Sequence, residues 1–313
     1  MTTPSNAVPE SLDSQVLTTA ALSPTQPMYW SVRRELWENR SIYIAPLAAA
    51  SVYMLGYMIS LIGLPRSMRG LSTLDPDHQR IMLAMPYSHA AMLLIAIAFL
   101  VGVFYSLDAL HGERRDRSIL FWKSLPVSDL TTVLSKASIP LVVLPLFIFA
   151  IVVTMQLIML LLSTAVLLMS GVNPATLWRQ LPLFQMELVL LYGLIVLALS
   201  HAPIYAWLLL VSAWAKRTTF LWAFLPLLAI GIFEKIAFHT WHFASLLGNR
   251  FSGGTDAFAF KTPSGAPVDP HFIPLSQLTP GRFLSSPGLW LGLVFAAIFL
   301  AAAVRLRRYR EPI

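Results

Sequence analysis

The chain has 313 residues, of which 57% are hydrophobic and 12% charged, with a mean hydropathy of +0.68 and a formal net charge of +7. Soluble domains carry charge on about a quarter of their residues, so this composition excludes an ordinary water-soluble enzyme and makes the bilayer the fitting solvent. At about 20 apolar residues per membrane helix, the length allows roughly six or seven spans, and the lack of cysteine excludes disulfides, thiolate metal sites and cysteine nucleophiles.

Residues 1–27 are rich in Ser, Thr and Pro, carry only Glu10 and Asp13 as charges, and lack the basic start and apolar core of a secretory signal. They read as a disordered cytoplasmic tail. Residues 28–40, MYWSVRRELWENR, place Tyr29, Trp30, Val32, Leu36 and Trp37 in one broad helical arc. Arg33 falls inside that arc and has to snorkel. Trp, Tyr and Arg together suit a helix lying in the headgroup layer before the first span; the plainer alternative is an extension of that span.

Six apolar stretches follow, at about Ile42–Leu64, Ala90–Leu110, Ile139–Met169, Met186–Trp214, Phe220–Phe238 and Pro287–Val304. Each is long enough, or nearly so, to cross about 30 Å of hydrocarbon at about 1.5 Å per residue. The third and fourth exceed that need and predict tilt or a protruding end. Pro46, Pro140, Pro145, Pro203 and Pro226 each remove a backbone donor and predict kinks.

With both termini inside, most of the 22 Lys and Arg residues fall on the cytoplasmic side, among them Arg33, Arg34, Arg40, Lys136, Arg305, Arg307 and Arg308. The basic residues form short patches flanking spans and not one stripe with interleaved aromatics, which argues against nucleic acid as a partner. Two long connections are then external. One is 65–89; the other, 239–286, is rich in Gly and Pro yet carries Trp241, Phe243, Phe251, Phe258, Phe260, Phe272 and Phe283. A connection of that length is predicted to pack partly on the protein or dip into the interface.

The long cytoplasmic connection, 111–138, is the most informative segment. Its spacing predicts a helix over about Glu113–Leu125, with Glu113 four residues before Arg117 in the favourable order. Pro126 stops it, and Ser128 or Asp129 can cap a second helix running through Lys136 into the third span. Charges gather at one end of the first helix and Ile119, Leu120, Phe121, Trp122 and Leu125 at the other. Such a helix could dock into a partner's groove; a solvated loop whose arginines only enforce topology is the plain alternative.

The stretch GERRDRSILFWKSLPVSD, Gly112–Asp129, resembles the cytoplasmic segment of ABC-2 type transporter permeases, the membrane subunits of ATP-binding-cassette exporters. The resemblance extends over the chain after its first 27 residues. It implies an all-α membrane protein of six transmembrane helices over 28–313, with an interfacial elbow helix at 28–40, a coupling segment at 111–138 and a structured external region at 239–286. The ERR, D and LPVS spacing is distinctive without being a catalytic signature. It implies that Glu113, Arg114, Arg115, Asp116, Arg117, Phe121, Trp122, Lys123, Leu125 and Pro126 meet a separate ATPase subunit. Also implied are twofold pairing with a second permease subunit and residence in a bacterial inner membrane, both termini cytoplasmic.

No G-x-x-x-x-G-K-[ST] occurs in the chain. Lys123-Ser124 and Lys261-Thr262 come nearest, but Trp122 and Phe260 stand where the phosphate-binding turn needs glycine. ATP and Mg are therefore expected on the partner, with no cofactor in this chain, which reads as a transporter subunit and not an enzyme. H-E-x-x-H and G-x-S-x-G are absent as well. His201 within the fourth span and Glu187 near its start are substrate-path candidates, since ionisable groups in membranes are functional by default. Glu234 beside Lys235 is a further contact candidate, or simply a headgroup-layer pair. His239 and His242 share metal-ligand spacing but have no evident third ligand, so no metal is assigned. The competing reading of the whole is a non-transport membrane scaffold or assembly factor whose cytoplasmic loop docks a soluble partner.

Overall fold

Inside hydrocarbon every backbone N–H and C=O must pair within its own segment or a closed sheet, and among the described residues this chain solves the problem with helices alone. The computed structural model describes residues 25–71, 75–116, 118, 127–251, 275 and 278–309. Helix α1 covers Thr25–Glu38, and α2, Ser41–Ser60, passes through a 3-10 turn at Leu61–Gly63 into α3, Leu64–Leu71. Next come α4, Pro76–Asp108, and the short α5, His111–Arg115. Helix α6, Asp129–Ser138, continues through a π-helical turn at Ile139–Val143 into α7, Leu144–Met169. The remainder comprises α8, Ala175–Gln180; α9, Leu183–Trp214; α10, Thr219–Phe238; α11, His242–Phe251; α12, Pro280–Leu284; and α13, Pro287–Tyr309. Among the described residues six helices are long and apolar enough to cross a membrane, the makeup of a multi-pass membrane protein.

These six coincide with the six apolar stretches, with two differences of extent. The connection expected at 65–89 is largely helical: α3 occupies its start, and α4 begins at Pro76 and runs for 33 residues. Proline suits the first turn of a helix, where its missing N–H has no partner to lose. Farther along α4, the Pro86 carbonyl accepts the Tyr53 hydroxyl at 2.6 Å. The third span is one helix from Asp129 to Met169, started by Ser128, whose Oγ accepts the Thr131 N–H at 3.0 Å. Its π-helical turn coincides with Pro140, where a widened ladder accommodates the ring and the missing donor.

Span α9 is the axis of the bundle. More than half of its most apolar window is buried, against 6% for α2 and α10, which lie at the periphery. It packs along α13 and crosses α4, where Gly102 permits the approach. A Cβ at that position would stand 2.9 Å from the Tyr205 ring. Toward one end of the bundle, Tyr57, Leu61, Met68, Leu83, Tyr87, Met159 and Leu177 join α2, α3, α4, α7 and α8 in a single core.

Part of the 239–286 region does pack on the protein. Phe283 is buried against Val196 and Leu289, and Arg250 of α11 reaches the Gly288 carbonyl and lies over Gly292. Both Glu234 carboxylate oxygens cap the start of α11, accepting from the Thr240 hydroxyl and the backbone N–H groups of His242 and Phe243, each at 2.7 Å. Glu234 thus acts inside the chain. Lys235 stands 4.9 Å from the centre of the Trp241 ring. Residues 258, 260 and 272 lie outside the described residues.

Residues 25–27, expected to belong to a disordered tail, form the first turn of α1, so the helix starts at Thr25 and not at Met28. Its apolar arc also divides in two. Val32 and Leu36 pack inward with Ile42, Tyr105 and Ile139, while Trp30 and Trp37 face outward with Arg33 between them, 5.2 and 5.1 Å from their ring centres. Arg33 is itself exposed and its guanidinium lies over both indoles.

Candidate functional site

A lone charge in an apolar core costs several kcal/mol unless another charge and good hydrogen bonds compensate it. At the end of the bundle where α1, α5, α6 and the last turns of α4 and α13 meet, the chain buries a balanced set. Glu35 is 1% exposed. Its Oε1 accepts Lys136 Nζ at 2.8 Å and Arg34 Nη2 at 2.9 Å, and its Oε2 accepts the Tyr105 hydroxyl at 2.8 Å.

Glu113 is the second centre. Its Oε1 lies 2.8 Å from Arg34 Nη2 and 3.2 Å from Lys136 Nζ, and its Oε2 lies 3.3 Å from Arg307 Nη2. Arg307 Nη1 then donates to Asp129 Oδ1 at 2.6 Å. The buried or part-buried carboxylates of Glu35, Glu113 and Asp129 thus face the cations of Arg34, Lys136 and Arg307, and the more exposed Glu38 adds a further carboxylate 3.4 Å from Arg34 Nε. Burial works against the charge on Arg34, but the carboxylates of Glu35, Glu38 and Glu113 prevail and raise its pKa above the ordinary arginine value.

The neighbouring residue grips a different helix. Arg114 Nη1 donates to the carbonyls of Ala213 at 2.8 Å and Ala215 at 3.2 Å, at the end of α9. Those carbonyls have no partner within the helix, and a cation there also meets the negative end of the helix dipole. In return, Ser212 Oγ of α9 accepts the N–H groups of Leu110 and His111 at 3.0 and 2.9 Å, capping α5 from another element. Helix α5 is only five residues long, and its adjacent residues Glu113 and Arg114 fasten it to α1, α6 and α13 on one side and to α9 on the other.

This placement sorts the expected partner-contact residues. Glu113 and Arg114 are 8% and 4% exposed and point into the chain. The helix around them starts at His111 and ends at Arg115, and the Glu113 carboxylate is taken by Arg34, Lys136 and Arg307. Arg115 and Asp116 face outward, paired with each other at 3.1 Å. Arg117, Phe121, Trp122, Lys123, Leu125 and Pro126 lie outside the described residues.

Sequence reasoning missed Glu35, Tyr105 and Asp129 as members of this hub, and took Arg34, Lys136 and Arg307 only for topology markers. A usable signal was present for Lys136 and Arg307. Lys136 is a single charge on a helical turn of small and apolar residues, with Ala137 beside it, whereas Arg307 sits among Arg305 and Arg308 and is set apart only by Ala303 one turn before it.

The two substrate-path candidates are not brought together. They are 14 residues apart on α9, about 21 Å at helical rise. His201 is buried, with Nδ1 2.9 Å from the Leu197 carbonyl oxygen and its ring 5.0 Å from that of Phe99. It borders a cavity of about 40 Å³ beside Pro140, Pro145 and Tyr205. Glu187, half-buried near the start of α9, has an Oε2 without a hydrogen-bond partner. Among the described residues no three His, Asp or Glu side chains gather as a metal site. The chain matches no protein-family model, no curated protein and no solved structure.

Proposed function

We propose that the chain is the membrane permease subunit of an ABC-2 type exporter, moving a substrate out across a bacterial inner membrane with ATP hydrolysed by a separate subunit. The observation that carries this reading is the double fastening of α5. A loop that only enforced topology would leave its charges in water, whereas this one buries Glu113 against three helices and Arg114 against a fourth.

Force applied to the exposed side of the segment, at Arg115 and Asp116, would reach the ends of α1, α6, α9 and α13 together. That is the mechanical requirement for coupling nucleotide-driven closure of an ATPase to tilting of the spans. In this reading the hub end is cytoplasmic, in keeping with its share of the Lys and Arg residues. Helix α1 is the elbow, its Trp30, Arg33 and Trp37 face resting among headgroups. ATP and Mg belong to the partner, and a second permease subunit completes the path.

Co-purification in mild detergent followed by reconstitution tests the proposal. The expected result is an associated ATPase whose hydrolysis continues in Glu113→Gln while substrate movement falls. A chain that never brings down an ATPase overturns the transporter reading and leaves a scaffold in its place.

A further inference from the structure

We propose that the cleft enclosed by α2, α3, α4, α7 and α8, at the end of the bundle away from the ion-pair hub, is a binding site for one anionic phospholipid. The cleft measures about 580 Å³, within the roughly 300–1,000 Å³ typical of small-molecule sites. Its depth in the membrane selects the class of occupant. Tyr57 lies 16 residues beyond the start of α2, about 24 Å along the helix, so the inner wall stands in the far part of a hydrocarbon layer about 30 Å thick. Ser67 and Gly70 of α3 carry the opening onward, toward the headgroups. A molecule reaching this site comes from the leaflet and not from bulk water.

The hydrogen bonds of the lining leave one donor over. Ser60 and Ser67 bond back to the carbonyls of Tyr57 and Leu64. Ser163 gives its proton to the Met159 carbonyl at 2.7 Å, so the Tyr57 hydroxyl donates to Ser163 Oγ at 2.6 Å. Tyr87 is 1% exposed, and its hydroxyl, lying near those of Tyr57 and Ser163, makes no hydrogen bond of good geometry. A buried donor left in that state costs about 1–3 kcal/mol. An ester or phosphate oxygen at the polar end of an acyl chain would satisfy it, while Leu61, Leu83 and Leu177 supply the apolar wall for the chain.

Two further features specify the occupant. Helix α3 carries Arg66 and Arg69, both exposed, on either side of the lining residue Ser67, which favours a negative headgroup over a zwitterionic one. A Cβ added at Gly63 or Gly70 would meet no atom within 4 Å. The cleft wall is therefore open at these positions, and a larger side chain can enter without a clash.

The test uses the full chain reconstituted in vesicles of equal phosphatidylglycerol and phosphatidylcholine, extracted gently and weighed by native mass spectrometry. The expected spectrum shows one retained phosphatidylglycerol, lost in Gly63→Phe and about five- to tenfold less occupied in Tyr87→Phe. Excess glycerol phosphate in solution should not displace it, since the chain and not the headgroup alone fills the cleft. Equal retention of phosphatidylcholine, displacement by glycerol phosphate, or unchanged occupancy in the folded variants overturns the proposal. Tyr87→Phe keeps the ring and its packing, so it decides the matter if Gly63→Phe does not fold.

Discussion

The two ends of the bundle manage buried polarity in opposite ways. At the hub end, three carboxylates and three cations neutralise one another within 3.3 Å, and the helices that carry them are fastened across the whole cross-section. At the other end, the polar side chains of the cleft lining are hydroxyls, most of which bond to their own helix, the buried Gln156 amide beside them donates to the Tyr87 carbonyl at 3.2 Å, and a cleft remains open beside Tyr87. A charge network is demanding, because one missing member leaves the others stranded. Hydroxyl contacts are forgiving, because each can turn back to a nearby carbonyl. The chain is therefore built to move as a unit at the hub and to adjust locally at the far end.

The strongest way to break this contrast is to remove the hub's centre. Glu113→Ala leaves Arg34, Lys136 and Arg307 facing Glu35, Asp129 and the half-exposed Glu38, and is expected to lower stability by about 3–5 kcal/mol. Denaturant or thermal unfolding of the purified protein measures it. Removing a cation at the same time, in Glu113→Met with Lys136→Met, restores the balance and should recover a large part of that loss. If the double variant is as damaged as the sum of the two single ones, the residues are not acting as a network.

At the far end the corresponding change is smaller. Ser163→Ala deprives the Tyr57 hydroxyl of its acceptor in a buried setting, an expected loss of about 1–3 kcal/mol by the same unfolding measurement. The accompanying Tyr57→Phe should then cost little more, since both partners of one bond are gone. A loss in Ser163→Ala as large as that in Glu113→Ala would erase the distinction between the two ends.

How much of this was legible in the sequence follows from the range of each interaction. The six spans were readable because an apolar stretch of membrane length is a local property, and Ser128 as a cap because its contact is three residues away. The early turns of α4 were hidden by their own composition: Asp77, His78, Gln79, Arg80 and Pro86 resemble a connection, while Leu83, Ala84 and Tyr87 among them are buried. The hub was hidden by distance. Glu113 meets partners 79 and 194 positions away, and a single sequence does not say which distant cation will neutralise a given carboxylate. Composition registers Lys136 and Arg307 as positive charge near a span, and only the packing of α6 and α13 turns them inward.

Ser128 offers a gentler probe of the hub end. Its Oγ is exposed and caps α6 without belonging to the charge network, so Ser128→Ala should cost about 1 kcal/mol and leave the Glu113 double-variant recovery intact. Loss of that recovery would mean that the start of α6 is positioned by its cap and not by Arg307 holding Asp129.

The smallest effect on stability and the most telling on mechanism is expected at Arg115. Its guanidinium is exposed and pairs with Asp116 at 3.1 Å and Asp108 at 3.8 Å, both in water, where ion pairs contribute little. Arg115→Ala should unfold together with the unaltered chain. If the segment meets an ATPase, the same substitution should still weaken the complex, seen as reduced recovery of ATPase on the tagged chain. Glu113→Ala, two positions away, would show the reverse order of effects, with the fold disturbed first and partner recovery falling only as a consequence. Two nearby charges with inverted profiles would separate the face that holds the bundle together from the face offered to a partner. Identical profiles would place both residues in the fold alone.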